Sequence, residues 1–368
     1  MTNLSNLTLQ IQEKINGLPI TDVTSHINIT EQGIHDSIKN FIHQLTLDKN
    51  REFRGRLESE FFSNGPLDQL ITDDKITEII IYGHSSIWFE KLGTLIKYED
   101  TFLTPATFHL FTQKLYHECG INPSSVEPFA RAQWQGFRVQ IVVPPISEQT
   151  IVQLRKLNPS TWSLTDLENL EMVSSTQHVI LSDLIRCRKN FIIIGATGSG
   201  KTTLLNSVMV EVPPNERVII IEDTNELRVP NLISAKLVSR PGQKNLFDEI
   251  GQVDLVKESL RLRPDRLVVG EVRGGEAKDL LMALATGHSG SLGTLHADNP
   301  NQALIRLEML IQMGAPQWSL QAIRRLIFLS LQNIVQVRRS LEGRRVVEGI
   351  FKISSLEDFG FLLEKIDT

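Results

Sequence analysis

The chain has 368 residues, 41% of them hydrophobic and 22% charged, a balance that suits a globular enzyme and excludes a fibrous, disordered or membrane class. Its 38 basic and 43 acidic side chains leave a net charge of −5 and no basic block that would track a phosphate backbone, so nucleic acid is not expected as the main substrate. The cysteines, Cys119 and Cys187, are far apart and lack metal spacing, and they read as thiols of a reducing cytosol.

This length exceeds one ordinary core, so two folded domains plus a tail are expected. The start, MTNLSNLTLQIQEKINGLPI, has neither an arginine-rich amphipathic pattern nor a charged head followed by an apolar signal core, and no export signal is expected. The longest apolar runs, such as Ile79 to Tyr82 and Phe191 to Ile194, are far too short to cross a bilayer, so membrane contact is expected to be peripheral or through a partner.

Residues 1–55 read as a polar N-terminal extension with one amphipathic helix, Gln32 to Leu45, carrying Ile34, Ile38, Phe41 and Ile42. Residues 56–157 read as a small α+β domain. Glu78 to Tyr82 and Ile87 to Lys91 form a hairpin across Gly83-His84-Ser85-Ser86. Thr104 caps and Pro105 opens a helix that presents Phe108, Phe111 and Leu115 on one face and ends near Gly120. Ala130 to Trp134 and Phe137 to Val143 turn at Gln135-Gly136 and stop at Pro144-Pro145.

Residues 158–177, around Asn158-Pro159-Ser160, read as a linker, and residues 178–368 as an α/β domain in which strands and helices alternate, the pattern of a mostly parallel sheet. Expected strands are Phe191 to Ile194, Arg217 to Ile221, Ala235 to Ser239, Arg266 to Val269, Ser291 to Leu295 and Asn333 to Val337. Expected helices are Gly200 to Val210, Val253 to Arg261, Gly275 to Ala285 and Asn301 to Met313.

The chemistry centres on Gly195-Ala196-Thr197-Gly198-Ser199-Gly200-Lys201-Thr202, which fits G-x-x-x-x-G-K-[ST] between an apolar strand and a helix start. Glycines there let backbone N–H groups curl around phosphate oxygens, and the helix N-terminus faces the same anion. With Thr203 beside it, this loop is expected to bind ATP, Lys201 meeting the β and γ phosphates and the Thr202 hydroxyl ligating Mg²⁺. Glu271 follows the apolar strand Arg266 to Val269 and is the first choice for orienting the attacking water. Glu222 closes Val218 to Ile221 and is expected, with Glu271, at the metal or its water shell. Alone, either acid is more often a solvated strand end. His296 closes another strand and is a candidate γ-phosphate sensor, His288 a lesser one.

The loop, then IIIEDTNEL (Ile219 to Leu227), LRLRPDRLVVGEVRGGEA (Leu260 to Ala277) and TGHSGSLGTLHADNP (Thr286 to Pro300), resembles the Walker A, Asp-box, Walker B and His-box of the type II/IV secretion ATPase superfamily. Upstream, NGPLDQLITDDKITEIIIYG, IWFEKLG and GFRVQIVVPP are similar to the N-terminal domain of its CpaF/TadA branch, including TrbB-like relatives. The resemblance covers roughly Asn64 to Ile353. It implies a RecA-like P-loop NTPase core with a smaller N-terminal α+β (PAS-like) domain. It also implies a homohexameric motor, cytoplasmic and peripheral at the inner membrane, that works on a membrane platform protein of a pilus or secretion machine. Glu222, Glu271 and His296 fall on the Asp-box acid, the Walker B glutamate and the His-box histidine. Arg138 and Arg155 fall where arginines approach the γ-phosphate, and Arg240 and Arg273 are weaker candidates of that sort. Two rivals stand beside the motor: an ATP-dependent scaffold ring with negligible turnover, and a RecA-like nucleic-acid translocase, against which the acidic balance counts.

Overall fold

In the computed structural model the described residues are 2–16, 31–47, 49, 51–91, 93–157, 162–240, 242, 248–340 and 343–368. The chain divides into two units, Met1–Asn158 and Pro159–Thr368.

The first unit opens with helices α1 (Thr2–Asn16), α2 (Glu31–Leu45) and α3 (Arg51–Phe62), whose Ile11, Ile38, Ile42 and Leu57 form one apolar cluster. The side chain of Ile34 lies outside the described residues. Helix α3 runs through position 55, where the sequence suggested the extension would end, because its second half is tied to the domain behind it. Glu60, buried there, accepts from Arg56 at 2.6 Å, from Leu103 N at 2.7 Å and from the Thr107 hydroxyl.

After α4 (Asp68–Thr72) come β1 (Ile76–Tyr82), β2 (Ser86–Lys91), β3 (Thr94–Lys97), α5 (Pro105–Cys119), β4 (Phe129–Trp134), β5 (Phe137–Val142) and β6 (Ile151–Lys156). The strands make one antiparallel sheet in the order β3-β2-β1-β6-β5-β4. Strict alternation in β5, with Phe137, Val139 and Ile141 buried, turns those residues toward the core containing Phe108, Phe111 and Leu115 of α5. Helix α5 starts and stops where its chemistry requires. Thr104 accepts from Thr107 N in a reciprocal capping box, and Gly120 adopts φ 64° to end the helix.

The second unit contains α6 (Leu164–Asn169), α7 (Ser175–Arg186), β7 (Phe191–Ile194), α8 (Lys201–Val210), β8 (Val218–Glu222), β9 (Ala235–Val238), α9 (Gln252–Ser259), β10 (Arg266–Val269), α10 (Glu276–Ala285), β11 (Leu292–Leu295), α11 (Pro300–Gly314), α12 (Leu320–Ser330), β12 (Asn333–Arg339), β13 (Arg345–Glu357) and β14 (Gly360–Lys365). Asn158-Pro159-Ser160 lies outside the described residues, but the remainder of the segment read as a linker holds α6 and the start of α7. Leu164, Leu167, Met172 and Val173 pack there against α8.

The sheet order is β14-β13-β12-β7-β11-β10-β8-β9, parallel from β12 to β9 and antiparallel through β13 and β14. Alternate residues of the central strands feed two cores. Ile192, Ile194, Ile219, Ile221, Leu267 and Val269 face α9 to α12, whereas Phe191, Ile193, Val218, Ile220 and Val268 face α6 to α8. Burial on both faces is why these strands are continuously apolar rather than alternating. The parallel register places the carboxyl ends of β7, β8, β10 and β11 along one edge, since Ile194 registers with Leu295, and Val269 with both Ile221 and Gly293.

Candidate active site

The turn after β7 is the Gly195–Thr202 loop. Gly195 has φ 154°, and a Cβ on it would lie 2.3 Å from Val337 O and 2.6 Å from Ser199 Oγ, so only glycine lets the loop approach β12 this closely. Gly198 and Gly200 take φ 74° and 100°, in the left-handed region, and α8 begins at Lys201. Thr202 and Thr203 stand in its first turn, half-buried.

Lys201 is 7% exposed, and its Nζ donates to the carbonyls of Gly195 at 2.8 Å and Ala196 at 2.9 Å. Burial lowers its pKa to about 8, with Glu271 opposing the shift and Arg273 adding to it. His296, directly after β11, bridges outward: Nδ1 is 3.2 Å from Lys201 Nζ and Nε2 is 3.0 Å from Glu271 Oε1. Burial and then the Lys201 charge hold its pKa below the ordinary imidazole value, against the pull of Glu271. Glu271 Oε2 accepts from Arg273 Nη2 at 2.5 Å. Burial raises the Glu271 pKa, but Arg273, then His296 and Lys201, outweigh it and keep the carboxyl below its ordinary value. Lys201, His296 and Glu271, expected on separate motifs, therefore form one continuous polar chain.

Glu222 reaches the same edge but turns away from that chain. It is 3% exposed. Its Oε1 accepts from Glu226 N at 3.1 Å and Leu227 N at 2.9 Å, and its Oε2 lies 3.4 Å from Lys236 Nζ. Gly270 makes room for it, since a Cβ there would come within 3.1 Å of Glu222 Cγ. Burial pushes the Glu222 carboxyl above its ordinary value, and Lys236 with the two backbone N–H groups offsets only part of this. Glu222, expected at the metal, thus has its described contacts with the 226–227 backbone and Lys236. The acid joined to the polar chain from β8 is the next residue, Asp223, whose Oδ2 lies 3.3 Å from Arg273 Nη1 and whose Oδ1 accepts from Ser239 at 2.9 Å. The adjacent Glu222-Asp223 pair carried that signal, and the choice between them depended on which one the strand ends by burying.

His288 lies before β11, at the opposite strand end from His296, with Nδ1 3.1 Å from Ala283 O. Arg240 bridges to Ile250 and donates to Asp248 O, and Pro241 beside it lies outside the described residues. Arg138 and Arg155 belong to the first unit, where they register with each other across β5 and β6 on the outer face of the sheet, Glu78 of β1 being the next partner of Arg155.

A profile of the family described as "Type II/IV secretion system protein" matches residues 60–342. The chain belongs to that family. "Conjugal transfer protein TrbB" of Rhizobium radiobacter is 31% identical over 77% of this chain and 86% of its own length. "Type IV secretion system protein PtlH" of Bordetella pertussis is 31% identical over 74% and 89%. Among solved structures, the Legionella pneumophila ATPase DotB superposes with a TM-score of 0.55 at 20% identity, covering 74% of this chain and 75% of that one, a likeness of fold. The second unit thus has the RecA-like core expected of the family.

The donor set fits a nucleotide polyphosphate. Its loop is narrow enough to demand glycine, and among the described residues the buried ammonium there pairs only with neutral carbonyls and an imidazole. It also fits Mg²⁺, which takes one or two protein oxygens and completes its shell with phosphate and water. Thr202 and the Glu271 carboxylate are oxygens of that kind. No described helix is long and apolar enough to cross a membrane.

Proposed function

We propose that the chain is a Mg-ATP-driven homohexameric motor of the CpaF/TadA branch. It energises a Tad/Flp-type pilus or a type II/IV secretion machine from the cytoplasmic face of the inner membrane, against a membrane-embedded platform protein. The observation carrying this reading is the chain Lys201–His296–Glu271, which runs from the phosphate loop to an ionised carboxylate at the tip of the neighbouring strands. Relatives named for conjugal transfer and type IV secretion support the export assignment.

In this reading the backbone of residues 195–203 cradles the phosphates, and Lys201 exchanges its carbonyl partners for phosphate oxygens, a stronger charge-assisted bond. Thr202 and Glu271 are the residues that would hold Mg²⁺ or its waters, and the ion would supply charge neutralisation on the transferring group. Glu271 orients and deprotonates water. His296, neutral, relays between Glu271 and Lys201 and so reports whether the loop is filled. Arg138 and Arg155, which register with each other across β5 and β6, are the candidates for cationic stabilisation of the transferring group, an effect worth about 10³–10⁵ in rate in other phosphoryl-transfer systems.

Steady-state phosphate release with and without Mg²⁺, beside molar mass by light scattering, tests the proposal. The expected result is Mg²⁺-dependent turnover by a six-subunit particle, abolished in Lys201→Ala. A ring that assembles with ATP but releases no phosphate would replace the motor with a scaffold.

A further inference from the structure

The β12–β13 hairpin brings an arginine to the outside of the phosphate loop. Arg345 opens β13, registered with Arg339 of β12, and its Nε donates to the carbonyl of Gly198 at 3.2 Å. Its stem lies over Gly200, where a Cβ would come within 3.1 Å of Arg345 Cδ and 3.0 Å of Met172 Cε. No carboxylate pairs with Arg345 among the described residues.

The strand carrying it is held firmly. Val347 N donates to Met172 O at 2.8 Å, and Gln177 Nε2 donates to Val347 O at 3.0 Å. Arg344 pairs with Glu171 at 2.9 Å. Arg345 is therefore delivered to Gly198 from a fixed platform rather than from a free loop.

In a phosphate loop the peptide N–H groups turn inward to the anion, which leaves the carbonyls facing outward. Gly198, at φ 74°, has the freedom to rotate the peptide it shares with Ser199. That orientation is set by whichever donor takes the Gly198 carbonyl. Ser199 N–H itself makes only a long 3.3 Å bond to Ala196 O, one that an anion would displace.

We propose that Arg345 is a positioning residue for the nucleotide site: it pins the Gly198 carbonyl outward and so keeps the Ser199 N–H aimed at the phosphate. This rests on the nucleotide-binding reading above, and the two are separable by experiment. ADP affinity is measured by titration calorimetry, with phosphate-release kinetics in parallel, for the parent, Lys201→Ala, Arg345→Ala and Arg345→Lys. Arg345→Ala should weaken ADP about tenfold and raise KM for ATP by a similar factor, with kcat held within about twofold, because the pin acts equally on the bound ground state and the transition state. Arg345→Lys should recover part of the loss, and the melting temperature without nucleotide should not move, since the side chain is exposed. Equal ADP affinity in parent and Arg345→Ala overturns the inference, as does a fall in kcat at unchanged KM or a lowered nucleotide-free melting temperature. A parent that binds no ADP overturns the nucleotide reading instead.

Discussion

Arg273 Nη2 sits 2.5 Å from Glu271 Oε2, two residues back along the chain, while the other Glu271 oxygen is 3.0 Å from His296 Nε2. Both oxygens of the carboxylate proposed to activate water are thus engaged, and Arg273 extends the contact to Asp223 at 3.3 Å. Holding Glu271 ionised is the chemical effect of that clamp, since the arginine counters the burial that would favour the neutral acid.

Removing the clamp therefore has a directional consequence. Arg273→Ala leaves burial unopposed by its largest counterweight, so the Glu271 pKa rises toward or above its ordinary value. The acid limb of the pH profile of kcat/KM should move upward. A limb that stays in place would show that Glu271 does not set it.

His296 predicts a pH dependence of stability. Its folded pKa lies below its ordinary 6.5, so as pH falls through that value the unfolded chain takes up a proton that the folded chain resists. Stability should fall with acidification, starting near the ordinary value and continuing toward the folded one. Glu271 acts in the same direction, but at lower pH, from its ordinary value down to its folded one. Urea denaturation at intervals between about pH 8 and pH 5.5 should show a larger loss for the parent than for His296→Asn. Parallel losses in the two proteins would contradict the depressed pKa.

At the opposite end of the strands Arg266 is fully buried. It donates to Glu216 at 2.5 Å, to Gly290 O at 3.1 Å and to Ile185 O at 2.8 Å, and so joins β10, β11 and α7. Arg266→Ala removes the guanidinium donor from Gly290 O, Ile185 O and Glu216, of which Ile185 O and Glu216 keep Arg188, and should cost about 3–5 kcal/mol. Denaturant unfolding measures this, and a loss under about 1 kcal/mol would mean that the pair is no more than a surface contact.

Much of this was legible in the sequence where local chemistry and tertiary demand coincide. The doubly buried strands of the second unit are unbroken apolar runs, and α5 announces itself through Thr104, Pro105 and Gly120. Strand β6 escaped because Ile151 to Lys156 ends just before Asn158-Pro159-Ser160, which reads as linker. Its strand character comes from its partners, β1 and β5, on either side. In β12 to β14 register shifts at Gln336/Val337 and Ile353/Ser355 interrupt the two-residue period. Helix α7 did carry a signal, the Ser174–Gln177 capping box. In the site, the motif spacing picked out Lys201, Glu271 and His296, but not which acid of Glu222-Asp223 would be buried. Arg345 lies 147 positions from Gly198, and no sequence period links the two.

The most direct test of the whole account is the comparison of Glu271→Ala with the parent under saturating Mg-ATP, measuring ATP binding and steady-state phosphate release on the same preparations. The variant should bind ATP as the parent does, because Lys201 and the loop are untouched, and should lose at least about a hundredfold in turnover. Phosphate release at the parent rate would contradict the account, since the carboxylate at the end of the Lys201–His296 chain would then have no part in the chemistry.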